Sequence, residues 1–206
     1  MTSDPKKLER DLSGVCGSWW RGLNGIEKDG SENRDRADRK SRAELRRAGS
    51  VASDGGDAIN LIRAYGIESF HVFLRRTQEK APWIEPERAA LAAITLAHVD
   101  HDLDLDEEVK AHTARLLGKP RSADSKEPKF AEARFKRLIR TDDPAELLPQ
   151  MVRAVKILGK TAPVGELGAS LLRWGPDVRK HWAFAYWQKK YVSAEPSEQT
   201  ETQDAA

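Results

Sequence analysis

The feature that most constrains this chain is its periodicity. Nearly every apolar segment repeats at intervals of three and four residues, and no stretch of four to eight residues shows clean apolar–polar alternation with β-branched enrichment. Stripes of that period are buried helix against helix, so the expected fold is all-α: a helical bundle of about nine helices in two packed lobes. A chain of 206 residues is long enough to build a real core. Its one cysteine, Cys16, excludes an intramolecular disulfide. No apolar run approaches the roughly 18 residues of a membrane span, and the opening Met1 to Lys7 lacks the apolar stretch of an export signal. The expectation is a cytoplasmic protein that makes no membrane contact.

The first helix is expected from about Pro5 to Leu23, capped by Asp4, with Leu8, Leu12, Val15 and Trp19 as its apolar stripe. Gly14 and Gly17 each cost about 1 kcal/mol relative to alanine, which implies that a closely packed neighbour holds this helix. Residues 24–38 are polar and rich in turn-formers, and read as a mobile loop within an N-terminal lobe, 1–118. Short helices follow at about 39–48 and 54–65, stopped by Gly49 and Gly66, then one from about Ile67 to Glu79. An alanine-rich helix from Pro86 to about Val99 is apolar nearly all round and belongs at the centre; another runs from about Asp106 to Leu117. A polar connector, 119–128, leads to a C-terminal bundle, 129–192, with helices near Pro128–Arg140, Pro144–Leu158, Val164–Trp174 and Asp177–Val192. Residues 193–206 form an acidic tail expected to be disordered. Trp19, Trp174 and Trp182 fall at core positions; Trp20, Trp83 and Trp187 are the indoles with a chance of exposure.

A net charge of +2 conceals a segregation. Residues 129–192 carry 13 Lys and Arg against 6 Asp and Glu, and residues 34–76 carry 10 against 6. Between them, residues 77–128 hold 7 basic and 11 acidic residues, and the tail from Ser193 holds four acids and no base. On the helix near 128–140, Ala131, Phe135, Leu138 and Ile139 share an apolar arc, while Lys129, Arg134, Lys136, Arg137 and Arg140 fill the other half. A merely solvated face interleaves acids with bases at i,i+4; this one does so hardly at all. The next helix sets Arg153, Lys156 and Lys160 in one stripe away from Leu148, Met151, Val152 and Val155. Arg39, Lys40, Arg42, Arg46 and Arg47 make a third cluster. Such clusters suit phosphate, since arginine offers a fork of donors and each neutralised phosphate releases a counterion.

The run from Asp100 to Glu108 imitates a calcium loop but puts Leu105 where Gly is required and Ala111 where a bidentate Glu is required. His98, His101, Asp102 and Asp104 could serve a metal-dependent hydrolase, the alternative from another functional class. A plainer reading makes His98 a satisfied, partly buried histidine and the acids the first turn of a helix. No nucleophile elbow or phosphate loop is present, and Cys16 has no identifiable catalytic partner. The residues argue for no enzyme, no catalytic metal and no cofactor.

Three segments follow in order: Ser18 to Leu23, with paired tryptophans and an arginine; Arg42 to Arg47; and Arg134 to Arg140. Then come Glu146 to Leu148, Arg153, Leu171 to Gly175 and Val178 to Tyr186. In order and spacing this resembles the CasB family, the small subunit of the type I-E CRISPR Cascade surveillance complex, over about Leu8 to Tyr191. The resemblance implies a non-catalytic helical subunit, present as a pair, beside other Cascade subunits and crRNA. It also implies that the subunit helps hold target DNA and the displaced strand in antiviral defence. By that resemblance Arg46, Arg47, Arg134, Arg140 and Arg153 match the family's basic segments. Arg42, Lys129, Lys136, Arg137, Lys156 and Lys160 enter the expected nucleic-acid surface on charge and helical geometry.

Overall fold

The computed structural model describes residues 4–27, 30–33, 35–50, 57–103 and 112–192. Ten helices follow one another: α1 (Pro5–Asn24), α2 (Arg39–Ser50), α3 (Asp57–Ala64), α4 (Glu68–Lys80), α5 (Pro86–Ala97), α6 (Thr113–Gly118), α7 (Glu132–Arg140), α8 (Pro144–Ile157), α9 (Val164–Leu172) and α10 (Pro176–Val192). The all-α fold is therefore observed among the described residues. The only named strands among the described residues are β1 (His101–Asp102) and β2 (Thr161–Ala162), a parallel pair with His101 opposite Thr161.

Local chemistry explains the boundaries. Asp4 accepts from the Lys6 amide at 3.0 Å and Pro5 opens α1. Asp143 accepts from the amides of Ala145 (2.8 Å) and Glu146 (3.0 Å) ahead of Pro144, so α8 starts where its sequence says it should. Helix α5 is buried along its length from Ala89 to Ala97 and forms the axis of the molecule. Helices α2, α3 and α4 pack on it, and so do α8 and α9 from the C-terminal stretch; α9 also lies against α1. The described buried side chains form one cluster, from Leu12 to Tyr186. Trp19, Trp174 and Trp182 are buried as expected, and Trp20 joins them at 1 % exposure, its Nε1 donating to the Val99 carbonyl at 3.1 Å. Trp83 stands out at 58 % and Trp187 is half-buried.

One glycine reading needs correction. Gly49 is no stop: it lies inside α2, where a Cβ would sit 2.6 Å from His98 Cε1 and 2.8 Å from Ile94 Cγ2, so it lets α2 close onto α5. The closely packed neighbour expected for α1 is α9: at Gly168 a Cβ would meet Cys16 Sγ at 2.5 Å, whereas Gly14 has open space beside it. Part of the 24–38 segment is tied down, by an Ile26–Glu32 bridge and an ion pair from Arg36 to Glu27 at 2.9 Å. The expected helix start at Asp106, with Asp104, Glu107 and Glu108, lies outside the described residues, as does the tail.

A candidate nucleic-acid interface on α7 and α8

The C-terminal basic surface starts from how α7 is seated. Phe135 and Leu138 are fully buried, and Phe135 stacks on Tyr186 of α10 with ring centroids 3.8 Å apart. Tyr186 in turn donates its hydroxyl to the Phe130 carbonyl at 2.6 Å. Burial, with the nearby Glu132 charge, pushes that phenol up to about 12, so it stays a donor. With one half anchored, α7 turns Arg134, Lys136, Arg137 and Arg140 outward, all exposed.

The helix begins later than its pattern suggests. Lys129 and Phe130 run beside residues 117–119, with the Lys129 amide donating to Lys119 O (2.8 Å) and the Phe130 amide to Leu117 O (3.0 Å). Lys129 is therefore off the helical wheel that nominated it. Ala131, placed on the apolar arc by that wheel, is exposed, and Phe130 is buried instead. Lys136 is not an isolated charge either: it pairs with Glu132 at 2.9 Å, at i,i+4, and lies 5.9 Å from the centroid of Trp187.

Helix α8 packs against α7, with Leu148, Met151, Val152 and Val155 buried and Arg153 and Lys156 exposed. Between the two helices opens a hollow of about 400 Å³ lined by Phe130, Arg134, Arg137, Glu146, Pro149, Gln150 and Arg153. Gln150 is braced by Nε2 bonds to Thr141 Oγ1 (2.9 Å) and the Glu146 carbonyl (3.0 Å). Three guanidinium groups thus share one concave site with a single carboxylate, and none of the three is ion-paired within 4 Å among the described residues. Arg140 ends α7, outside the hollow.

The second-helix arginines meet a different fate. Arg42 Nη2 donates to Asp100 Oδ1 at 2.5 Å, Arg46 Nη2 donates to the same oxygen, and Lys160 Nζ lies 3.3 Å from Oδ2. Arg46 Nε also donates to the Ala97 carbonyl (2.7 Å), and Arg42 to the Val99 carbonyl (3.2 Å). These are carbonyls at or just past the end of α5, which a helix leaves without partners, so the two arginines close the central helix. Burial alone would raise the Asp100 carboxyl; bonds and charge from Arg46 and Lys160 overcome this and hold it below the usual range. Arg47 is exposed beside Glu44 and Arg63 in a shallow depression away from this cluster. Lys156 contributes charge near His98. Charge counting misses Asp100 as the hub, because nothing in the run 100–108 says that its first residue turns back onto α2.

The residues considered for a hydrolase are engaged otherwise. His98 is buried, its Nδ1 2.9 Å from the Ile94 carbonyl, and burial lowers its pKa. Asp102 Oδ1 accepts from the Val164 amide at 2.9 Å and so caps α9. His101 points to solvent, and Asp104 lies outside the described residues. Among the described residues no three His, Cys, Asp or Glu side chains gather as a metal would need. No described helix is long and apolar enough to cross a membrane.

Against known proteins, the family model described as CRISPR-associated protein Cse2 matches residues 41–187. No curated protein and no solved structure matches the chain. The match takes in α2 through most of α10, including both basic clusters, and leaves out Ser18 to Leu23 of α1 and the acidic tail. That span is well over half of the chain, and the chain belongs to the Cse2 family, the small subunit of type I-E Cascade.

Proposed function

We propose that this subunit is non-catalytic and grips nucleic-acid backbone through the α7–α8 face, stabilising target DNA and the displaced strand in the R-loop of a crRNA-guided complex. The observation that carries the reading is the hollow in which Arg134, Arg137 and Arg153 converge. Guanidinium forks match phosphate geometry, and backbone contacts suit a protein whose complex leaves sequence reading to the guide. Exchange of duplex for guide heteroduplex is nearly balanced, so a few backbone contacts are enough to tip it. Arg140 and Lys156, on the same two helices, add positive charge to this face, while Arg47 lies in a separate depression. Arg42, Arg46 and Lys160 contribute less, because they already share a carboxylate. The expected partners are the other Cascade subunits, crRNA, both DNA strands and a second copy of this chain.

The test is binding of the full chain to two unrelated single strands across a salt series. Backbone grip requires similar affinity for both and a steep fall between about 50 and 200 mM salt. Equal affinity at both salts, or a strong preference for one sequence, overturns the proposal.

A further inference from the structure

Helix α10 carries two aromatic rings that core packing does not account for. Phe184 is 66 % exposed, and Trp187, one turn further on, is half-buried, while Trp182, Ala185 and Tyr186 between and beside them face the core. We propose that Phe184 and Trp187 form a stacking site for the unpaired bases of a bound strand. This deepens the reading of the α7–α8 face as the nucleic-acid seat and rests on it for the placement of the phosphates.

Position is the first support. Phe184 and Trp187 line one wall of a cavity of about 980 Å³ between α1, α9 and α10. The same Trp187 ring lies 5.9 Å from the ammonium of Lys136, which belongs to the cationic side of α7. The wall of the cavity and the basic face thus share one indole. That indole is held in place: it meets Tyr186 edge-on at 4.9 Å, and Tyr186 stacks on Phe135, the anchor of α7. A ring fixed before binding loses little freedom when a base lies on it.

Charge decides which part of a strand goes where. Arg134, Arg137 and Arg153 converge in the hollow, whereas the larger cavity has Glu9, Glu166 and Asp177 in its lining. Carboxylates repel phosphate but accept hydrogen bonds from the amino groups of bases. A strand on this side of the molecule therefore turns its phosphates toward α7 and its bases toward α10. Stacking tolerates every base, because each has a π-face, so it leaves sequence reading to the guide. It does require bases that are out of a duplex, which favours the displaced strand over the guide heteroduplex.

The test is fluorescence anisotropy of the full chain with two labelled probes, an oligothymidine of about 15 nucleotides and an abasic strand of the same length. Stacking is worth about 5- to 150-fold in affinity per base, so the wild type is expected to hold oligothymidine at least about fivefold more tightly than the abasic strand. Phe184→Ala puts the best helix former at an exposed position and is expected to leave folding intact. It should weaken oligothymidine binding about fivefold or more, with the abasic strand and the log–log salt slope unchanged, and Phe184→Trp should restore it. No base preference in the wild type, or equal weakening of both probes by Phe184→Ala, overturns the proposal. So does unchanged oligothymidine binding, which would leave the ring to a protein partner. The phosphate seat is judged separately: alanine at Arg134, Arg137 and Arg153 together should flatten the salt slope yet keep the preference for bases at low salt. If that variant keeps the wild-type slope while Phe184→Ala still loses the preference, the hollow is refuted and the stacking site is not. If the wild type binds neither probe, both readings fall.

Discussion

Replacing Arg134, Arg137 and Arg153 together by alanine separates binding from folding more cleanly than any other change to this chain. All three side chains are exposed, on helices whose opposite faces are anchored by Phe135, Leu138, Leu148, Met151, Val152 and Val155. Alanine is the best helix former, and exposed substitutions usually fall within about 0.5 kcal/mol, so the midpoint of urea unfolding should barely move. Binding should collapse. If each guanidinium neutralises one phosphate of a single strand or duplex, it contributes roughly 0.7 to 0.9 to the log–log salt slope, so the three together contribute about 2.1 to 2.7. At about 0.1 M salt that corresponds to a loss of about 100- to 500-fold in affinity; at about 0.4 M it shrinks to about 7- to 12-fold. Fluorescence anisotropy of a labelled strand over this salt range measures both numbers. A variant that unfolds like the wild type and keeps its salt slope would refute the assignment of the hollow to phosphate. The Arg47 depression would then be the leading candidate.

The other predictions concern stability. Arg46→Ala should cost about 1–2 kcal/mol in urea unfolding, since it removes a bond to Asp100 and one to Ala97 O at a site where the side chains are about a third exposed. The equally charged Arg153→Ala should cost less than about 0.5 kcal/mol. Gly168→Ala should destabilise by about 1–2 kcal/mol despite its better helix propensity, because the new Cβ meets Cys16 Sγ at 2.5 Å and Leu96 Cδ1 at 3.1 Å. Tm measured against pH should reveal His98. Burial holds it low against an opposing bond to Ile94, and the charges of Lys156, Arg46 and Lys160 add to the depression. Below about pH 6.5 the unfolded chain takes up the proton first, so the stability His98 contributes is full above that pH and declines beneath it. His98→Gln should flatten that part of the curve.

Much of the fold was legible because period and capping agree with packing. Asp4–Pro5 and Asp143–Pro144 start their helices as their chemistry requires, and α5 is central because no face of it is polar. The misreadings share one cause: local pattern cannot see a partner distant in sequence. Gly49 looks like a stop until His98 and Ile94 press against it. Lys129 fits a wheel until residues 117–119 claim its backbone, and Trp20 could have faced solvent had Val99 not offered a carbonyl.

The stripe of Arg153, Lys156 and Lys160 carries the same lesson into function. On the wheel the three are equivalent, yet each meets a different neighbour. Arg153 faces Arg134 and Arg137 across the hollow, where like charges repel and Glu146 is the one carboxylate in the lining, so an added anion relieves them. Lys156 lies near His98, where its charge adds to the lowering of the imidazole pKa that burial chiefly causes. Lys160 sits past the end of α8 at φ 61°, and its ammonium reaches Asp100. Charge already balanced inside the fold has little left to offer a phosphate; charge crowded against its own kind has most to gain from one. By that criterion the α7–α8 hollow, where repulsion is least compensated, is the seat we propose for nucleic acid. Of the four arginines on α2, Arg42 and Arg46 close the central helix.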